Sequence, residues 1–100
     1  MLNILAIGRD PAILQVVERL INGHESWTAR IVTTDEEAVT AFGQAKFSIV
    51  FVCAGVSMEE EKGLRRRLQQ LDPEVVVTRH YGGGSGLLEN EVLAILNSKL

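Results

Sequence analysis

Four short apolar runs alternate with four amphipathic stretches, and only a few residues separate one from the next. The runs are Leu2 to Ile7, Ala29 to Thr33, Ser48 to Cys53 and Glu74 to Arg79. The third, SIVFVC, is apolar on both faces, which fits a central parallel strand covered by helices on both sides. The second alternates and carries Arg30, which suits an edge. Strand–helix alternation with short connections predicts parallel strands joined by right-handed crossovers. Two helices must cover each face, and the strand order 2-1-3-4 achieves this. That order puts a switch point between the first and third strands and every strand-to-helix loop on the C-terminal edge of the sheet. The expected architecture is α/β: a three-layer, doubly wound parallel sheet of four strands, forming one domain over residues 1–100.

Cap signals support the helices. Asp10-Pro11 reads as an N-cap carboxylate followed by proline at the first helical position. Ile13, Val16, Val17, Leu20 and Ile21 are spaced as one helical face, and Gly23 reads as a left-handed terminal residue. Thr34-x-x-Glu37 and Ser57-x-x-Glu60 read as capping boxes. Ala38, Val39, Ala41, Phe42 and Ala45 supply the buried side of the second helix. Leu64, Leu68 and Leu71 form the stripe of the third, where Glu61 and Arg65 can pair. Asp72-Pro73 ends that helix. Ser85 reads as the N-cap of the last one, with Glu89 and Glu91 in its first turns and Leu88, Val92, Ile95 and Leu96 on its apolar side.

Net charge is −3, too small to imply a nucleic-acid or membrane partner. The one basic cluster, Arg65-Arg66-Arg67, follows Glu59-Glu60-Glu61 and reads as a solvated, largely neutralised helix face. Cys53 is the single cysteine, so no intramolecular disulfide and no thiolate metal cluster is expected. No stretch approaches the roughly 20 apolar residues of a spanning helix, and MLNILAIG lacks the basic start of a signal peptide. A cytoplasmic location is expected, with neither cofactor nor metal.

Three stretches, ILAIGRDPAILQVVERLI, AKFSIVFVC and PEVVVT, resemble the receiver domain of bacterial response regulators, which has the flavodoxin-like strand order. The resemblance covers roughly the first 80 residues. It implies a site at the C-terminal edge, where a receiver carries an acidic pair that holds magnesium after the first strand. Gly8 and Arg9 match that pair, and Asp10 follows. Cys53 matches the phosphorylated aspartate and Thr78 the hydroxyl after the fourth strand. The lysine that follows a receiver's fifth strand has no counterpart, because the chain passes through GGGSG directly to its last helix. The resemblance therefore implies a phosphorylation-independent signalling or protein-interaction module, shortened at its C-terminus.

Other chemistry remains open from the residues. Cys53 ends the third strand and His80 lies just past the neighbouring fourth, and a thiolate assisted by an imidazole and by Arg9 would make a thiol enzyme or redox sensor. The loop Gly82, Gly83, Gly84, Ser85 and Gly86 fails the dinucleotide and P-loop patterns position by position, yet its amides could bind a small anion or nucleotide. The fourth strand is expected at a sheet edge, although Val75-Val76-Val77 carries no blunting charge. That edge is expected to be paired, in a homodimer or with a protein partner, through Val75, Val77, Arg79 and Tyr81, or to be covered by the loop Tyr81 to Ser85 folding back over it.

Overall fold

The computed structural model describes residues 2–53, 55–79, 90 and 92–95. Its elements are β1 (Leu2–Ile7), α1 (Pro11–Asn22), β2 (Trp27–Val32), α2 (Asp35–Gln44), β3 (Ile49–Val52), α3 (Met58–Leu71) and β4 (Val76–Arg79). Residues 90 and 92–95 are helical. The four strands are parallel in the order β2-β1-β3-β4. The fold is the expected doubly wound, flavodoxin-like α/β sheet.

The register explains the apolar runs. Leu5 lies beside Arg30 on one side and Val50 on the other, and Val50 lies beside Val77. Ile4 to Ile7 and Ile49 to Val52 have no exposed surface, as strands covered on both faces require. On one face Leu5, Ile7, Val50, Val52 and Val77 pack under Ala38, Phe42, Leu64 and Leu68 of α2 and α3. On the other face Ile4, Ala6, Ile49 and Phe51 pack under Leu14, Val17 and Ile21 of α1, together with Val92. β2 alternates between buried ends and half-exposed interior residues, as an edge strand does.

Several details differ from the sequence expectation. In α1 the buried residues are Leu14, Val17 and Ile21, while Ile13 and Val16 are 41% and 49% exposed. Apolar residues come in adjacent pairs along this helix, so two faces fit the spacing, and the sheet selects the one about 100° away. Gly23 has φ −68°, not a left-handed value; its N–H donates to the Arg19 carbonyl and simply extends the helical turn. β2 starts at Trp27, two residues before Ala29, because Trp27 pairs with Leu2 and its ring stacks on His24 at 3.7 Å. Ala45 is exposed, because α2 ends at Gln44 and Ala45 is its extended C-cap, and Leu71 is 58% exposed.

The caps hold in one case fully and in one case half. Ser57 and Glu60 form the reciprocal box at the start of α3: Ser57 Oγ accepts from the Glu60 N–H at 3.1 Å, and the Glu60 carboxylate accepts from the Ser57 N–H at 3.0 Å. At α2, Thr34 Oγ1 accepts from the Glu37 N–H. The Glu37 carboxylate instead reaches the Thr33 N–H and the Thr33 and Thr34 hydroxyls. It closes one residue early because β2 hands the chain to α2 in an extended conformation, with two hydroxyls side by side.

Candidate functional site

The C-terminal edge of the sheet gathers the loops after β1, β2 and β3 and the end of β4. Gly8 is buried and its N–H continues the ladder, donating to the Val32 carbonyl at 3.2 Å. Asp10 caps α1: its Oδ1 accepts from the amides of Ala12 and Ile13 at 3.0 and 3.5 Å. The carboxylate therefore serves the helix start, which needs such an acceptor.

Arg9 is the centre of the edge. Its Nη1 donates to the Thr33 carbonyl at 2.6 Å, and its Nη2 donates to Asp35 at 3.0 Å and to Glu60 at 2.9 Å. One guanidinium thus ties the end of β2 to the first turns of α2 and α3. These carboxylates bring negative charge to helix N-termini, where the dipole favours it, and Arg9 compensates their mutual repulsion. The pKa of Arg9 is raised, first by its hydrogen bond to Glu60 and then by that to Asp35. That of Glu60 is held below the usual carboxylate range, first by the Ser57 N–H and then by Arg9.

Gly55 makes room for this arrangement. Its φ is +94°, and a Cβ built there would lie 2.7 Å from Arg9 Cβ and 2.9 Å from Arg9 Cγ. Both the backbone conformation and the close approach call for glycine.

A second bridge lies toward β4. Arg79 Nε donates to Glu61 Oε1 at 2.7 Å, and Arg79 Nη2 donates to the Val56 carbonyl at 2.8 Å. Arg65 Nη2 donates to the other oxygen of Glu61 at 3.0 Å, which is the pair expected from the helix spacing. The expected neutralisation of the basic cluster occurs in part, through Glu61 and Arg65, and Arg66 and Arg67 lie on the expected exposed helix face. Glu60 turns to Arg9, Glu61 serves both Arg65 and Arg79, and among the described residues no ion pair reaches Arg66 or Arg67.

Cys53 is 2% exposed and belongs to the core under α1, and its N–H donates to the Ile7 carbonyl at 2.7 Å. Burial denies the thiol the access that nucleophilic chemistry needs. The Arg9 guanidinium meanwhile faces Thr33, Asp35 and Glu60. Thr78 is half-buried beside Phe51. Val75 and Val77 are 4% and 8% exposed under α3, so their side chains belong to the core, and an edge contact here uses the backbone. His80, Tyr81 and the loop Gly82, Gly83, Gly84, Ser85 and Gly86 lie outside the described residues, as do Leu88, Glu89, Glu91 and Leu96 of the last helix.

No protein-family model matches the chain, and no curated protein sequence matches it. Comparison with solved structures finds a similar fold. The chemotaxis protein CheY4 of Vibrio cholerae, in a structure from crystals grown at pH 4.0, is similar with a TM-score of 0.71 at 15% identity. The match covers 94% of this chain and 98% of that one. At that identity the likeness establishes the fold. No helix among the described residues is long and apolar enough to cross a membrane.

Proposed function

We propose that this chain is a receiver-like signalling module that works through protein contacts and without aspartyl phosphorylation. The observation that carries the reading is Arg9, anchored to Thr33, Asp35 and Glu60 at the edge where a receiver-like domain would bind a metal. Magnesium takes hard oxygen ligands, usually one or two carboxylates with several waters. Here the nearest carboxylates hold a permanent cation supplied by the chain, and Asp10 caps a helix. At the end of β3 the matching side chain is a buried thiol, so no carboxylate is present to accept a phosphoryl group. A cation that never leaves fixes α2 and α3 in one arrangement and removes the bound-and-released partner on which a switch depends.

The test is direct. The protein is incubated with acetyl phosphate and magnesium, then followed by intact mass and by amide NMR. The expected result is an unchanged mass and unchanged amide positions around Gly8, Cys53 and Thr78. A phosphoryl adduct, or a magnesium-dependent shift at those amides, would overturn the reading. The β4 edge, where Val77 and Arg79 turn their backbone groups away from β3, is one surface for such contacts.

A further inference from the structure

We propose that the β4 edge, with the flank of α3 beside it, docks an extended acidic segment of a partner protein as an added strand. The inference rests on the interaction-module reading above and names the partner's chemistry.

The backbone is presented for pairing. The Val76 N–H donates to the Ser48 carbonyl, so Val76 faces β3. Alternation along a strand then turns the N–H and C=O groups of Val77 and Arg79 the other way. Among the described residues no strand pairs with that side. Such an edge accepts a further strand through main-chain hydrogen bonds, and its side-chain surroundings choose which strand.

Those surroundings are basic. The Glu61–Arg79 pair identifies the flank of α3 that overhangs β4. Helical spacing puts Met58, Lys62, Arg65 and Gln69 on that flank, with Arg66 one turn beyond Lys62. Lys62, Arg65, Arg66, Gln69 and Gln70 line one shallow cleft on the surface of α3, and Met58, one turn before Lys62, is 71% exposed. The only carboxylate bonded into this group among the described residues is Glu61, shared by Arg65 and Arg79. No ion pair within the described residues reaches Lys62 or Arg66. Four cations, Lys62, Arg65, Arg66 and Arg79, therefore stand with two carboxylates, Glu61 and the exposed Glu59 one turn before Lys62, which leaves this side of α3 with an excess of positive charge.

The charge also decides against a second copy as the occupant. A twofold pairing of β4 with its own copy would set the two α3 flanks side by side on one face of the joined sheet. Arg65 and Arg66 of each would approach their counterparts, and like charges facing each other disfavour that register. An added strand with Asp or Glu at alternate positions puts its carboxylates on the α3 side, within reach of Lys62, Arg65 and Arg66. Its intervening residues then face the opposite side of the sheet.

The experiment uses the full chain and two blocked hexapeptides, one alternating glutamate and valine, the other alternating lysine and valine, in amide NMR titrations. The glutamate peptide is expected to shift the amides of Val77 and Arg79 and to bind at least about tenfold more tightly than the lysine peptide, a gap that complementary charge readily produces. The gap should shrink in about 0.5 M salt, where exposed charges are screened. The double variant Lys62→Glu with Arg66→Glu alters exposed side chains only and should reverse the preference, with an unchanged circular dichroism spectrum. Equal binding of the two peptides, or a preference that survives the reversal, sinks the proposal. Concentration-dependent dimerisation that shifts the same two amides also overturns the acidic occupant, while leaving β4 as a contact surface. A monomer in which neither peptide moves Val77 or Arg79, and in which their amides exchange as slowly as that of Val50, overturns both the occupant and the edge reading.

Discussion

Replacing Gly55 with alanine tests the geometry on which the C-terminal edge depends. Two costs add. A non-glycine residue forced to φ +94° stores about 1–3 kcal/mol of backbone strain. The new Cβ would stand 2.7 Å from Arg9 Cβ and 2.9 Å from Arg9 Cγ, both near the Arg9 backbone and unable to swing aside as a side-chain tip would. Overpacking of that kind costs about 1–3 kcal/mol. A combined loss of about 3 kcal/mol lowers the melting temperature of a domain this size by about 12–24 °C. Thermal unfolding followed by circular dichroism reads the shift. The two costs separate in a double-mutant cycle: in an Arg9→Gly background the steric part vanishes, so Gly55→Ala should then cost about 1–2 kcal/mol less. A drop of under about 3 °C for the single variant would refute the reasoning, and so would a cycle with no coupling.

Gly43→Ala in α2 and Gly63→Ala in α3 should act oppositely, since a Cβ at either meets nothing within 4 Å. Each is expected to add about 0.5–1 kcal/mol, read as a higher denaturant midpoint with an unchanged slope. Ser57→Ala removes the acceptor for the Glu60 N–H and should cost about 1 kcal/mol in the same assay. Glu60→Gln tests the linkage of charge to stability. Its folded pKa lies below the ordinary 4.5, so its contribution is full above that pH and is lost as the pH falls through the folded value. The wild type should therefore exceed the variant in melting temperature at pH 7, and the difference should narrow progressively below about pH 4.5. A difference that is constant from pH 7 to about pH 3 would show that the charge of Glu60 contributes nothing.

The sheet was legible because its two central strands are apolar on both faces, a pattern that few other elements allow. SIVFVC could not be an exposed strand, and once it was central the order followed from covering both faces with two helices each. The phase of α1 was not legible. Ile13-Leu14, Val16-Val17 and Leu20-Ile21 are adjacent apolar pairs, and only the sheet beneath decides which member of each pair is buried. The bonds of Arg9 were hidden for another reason. Its partners lie 24, 26 and 51 residues away, and no local pattern links them. Asp35 was visible only as a first-turn acid and Glu60 only as the capping-box partner of Ser57, roles that point to their own helix starts and not to Arg9. Gly55 carried a weak signal, a lone glycine two residues past a central strand. It was overshadowed by the denser glycines at 82–86.

The two flanks of α3 show how the same helix serves two purposes. Glu60 and Glu61 are neighbours in α3, yet they lie on opposite flanks of the helix. Glu60 turns toward α2 and is consumed by Arg9, whose other contacts complete a closed set of charges at the loop edge. Glu61 turns toward β4 and is divided between Arg65 and Arg79, which leaves positive charge in excess beside Lys62 and Arg66. A surface that satisfies its own charges has little to offer a ligand. A surface with surplus charge next to unpaired backbone has both an attraction and a template. The sequence run EEEKGLRRR looks self-neutralising only when read as a line. Wrapped at 100° per residue it sends Glu60 to Arg9 and Glu61 to Arg65 and Arg79, and leaves Glu59 exposed with Lys62, Arg66 and Arg67 on the outer side of α3. Under the proposed function, the recognition surface lies at the side of the sheet rather than at the loops at its end.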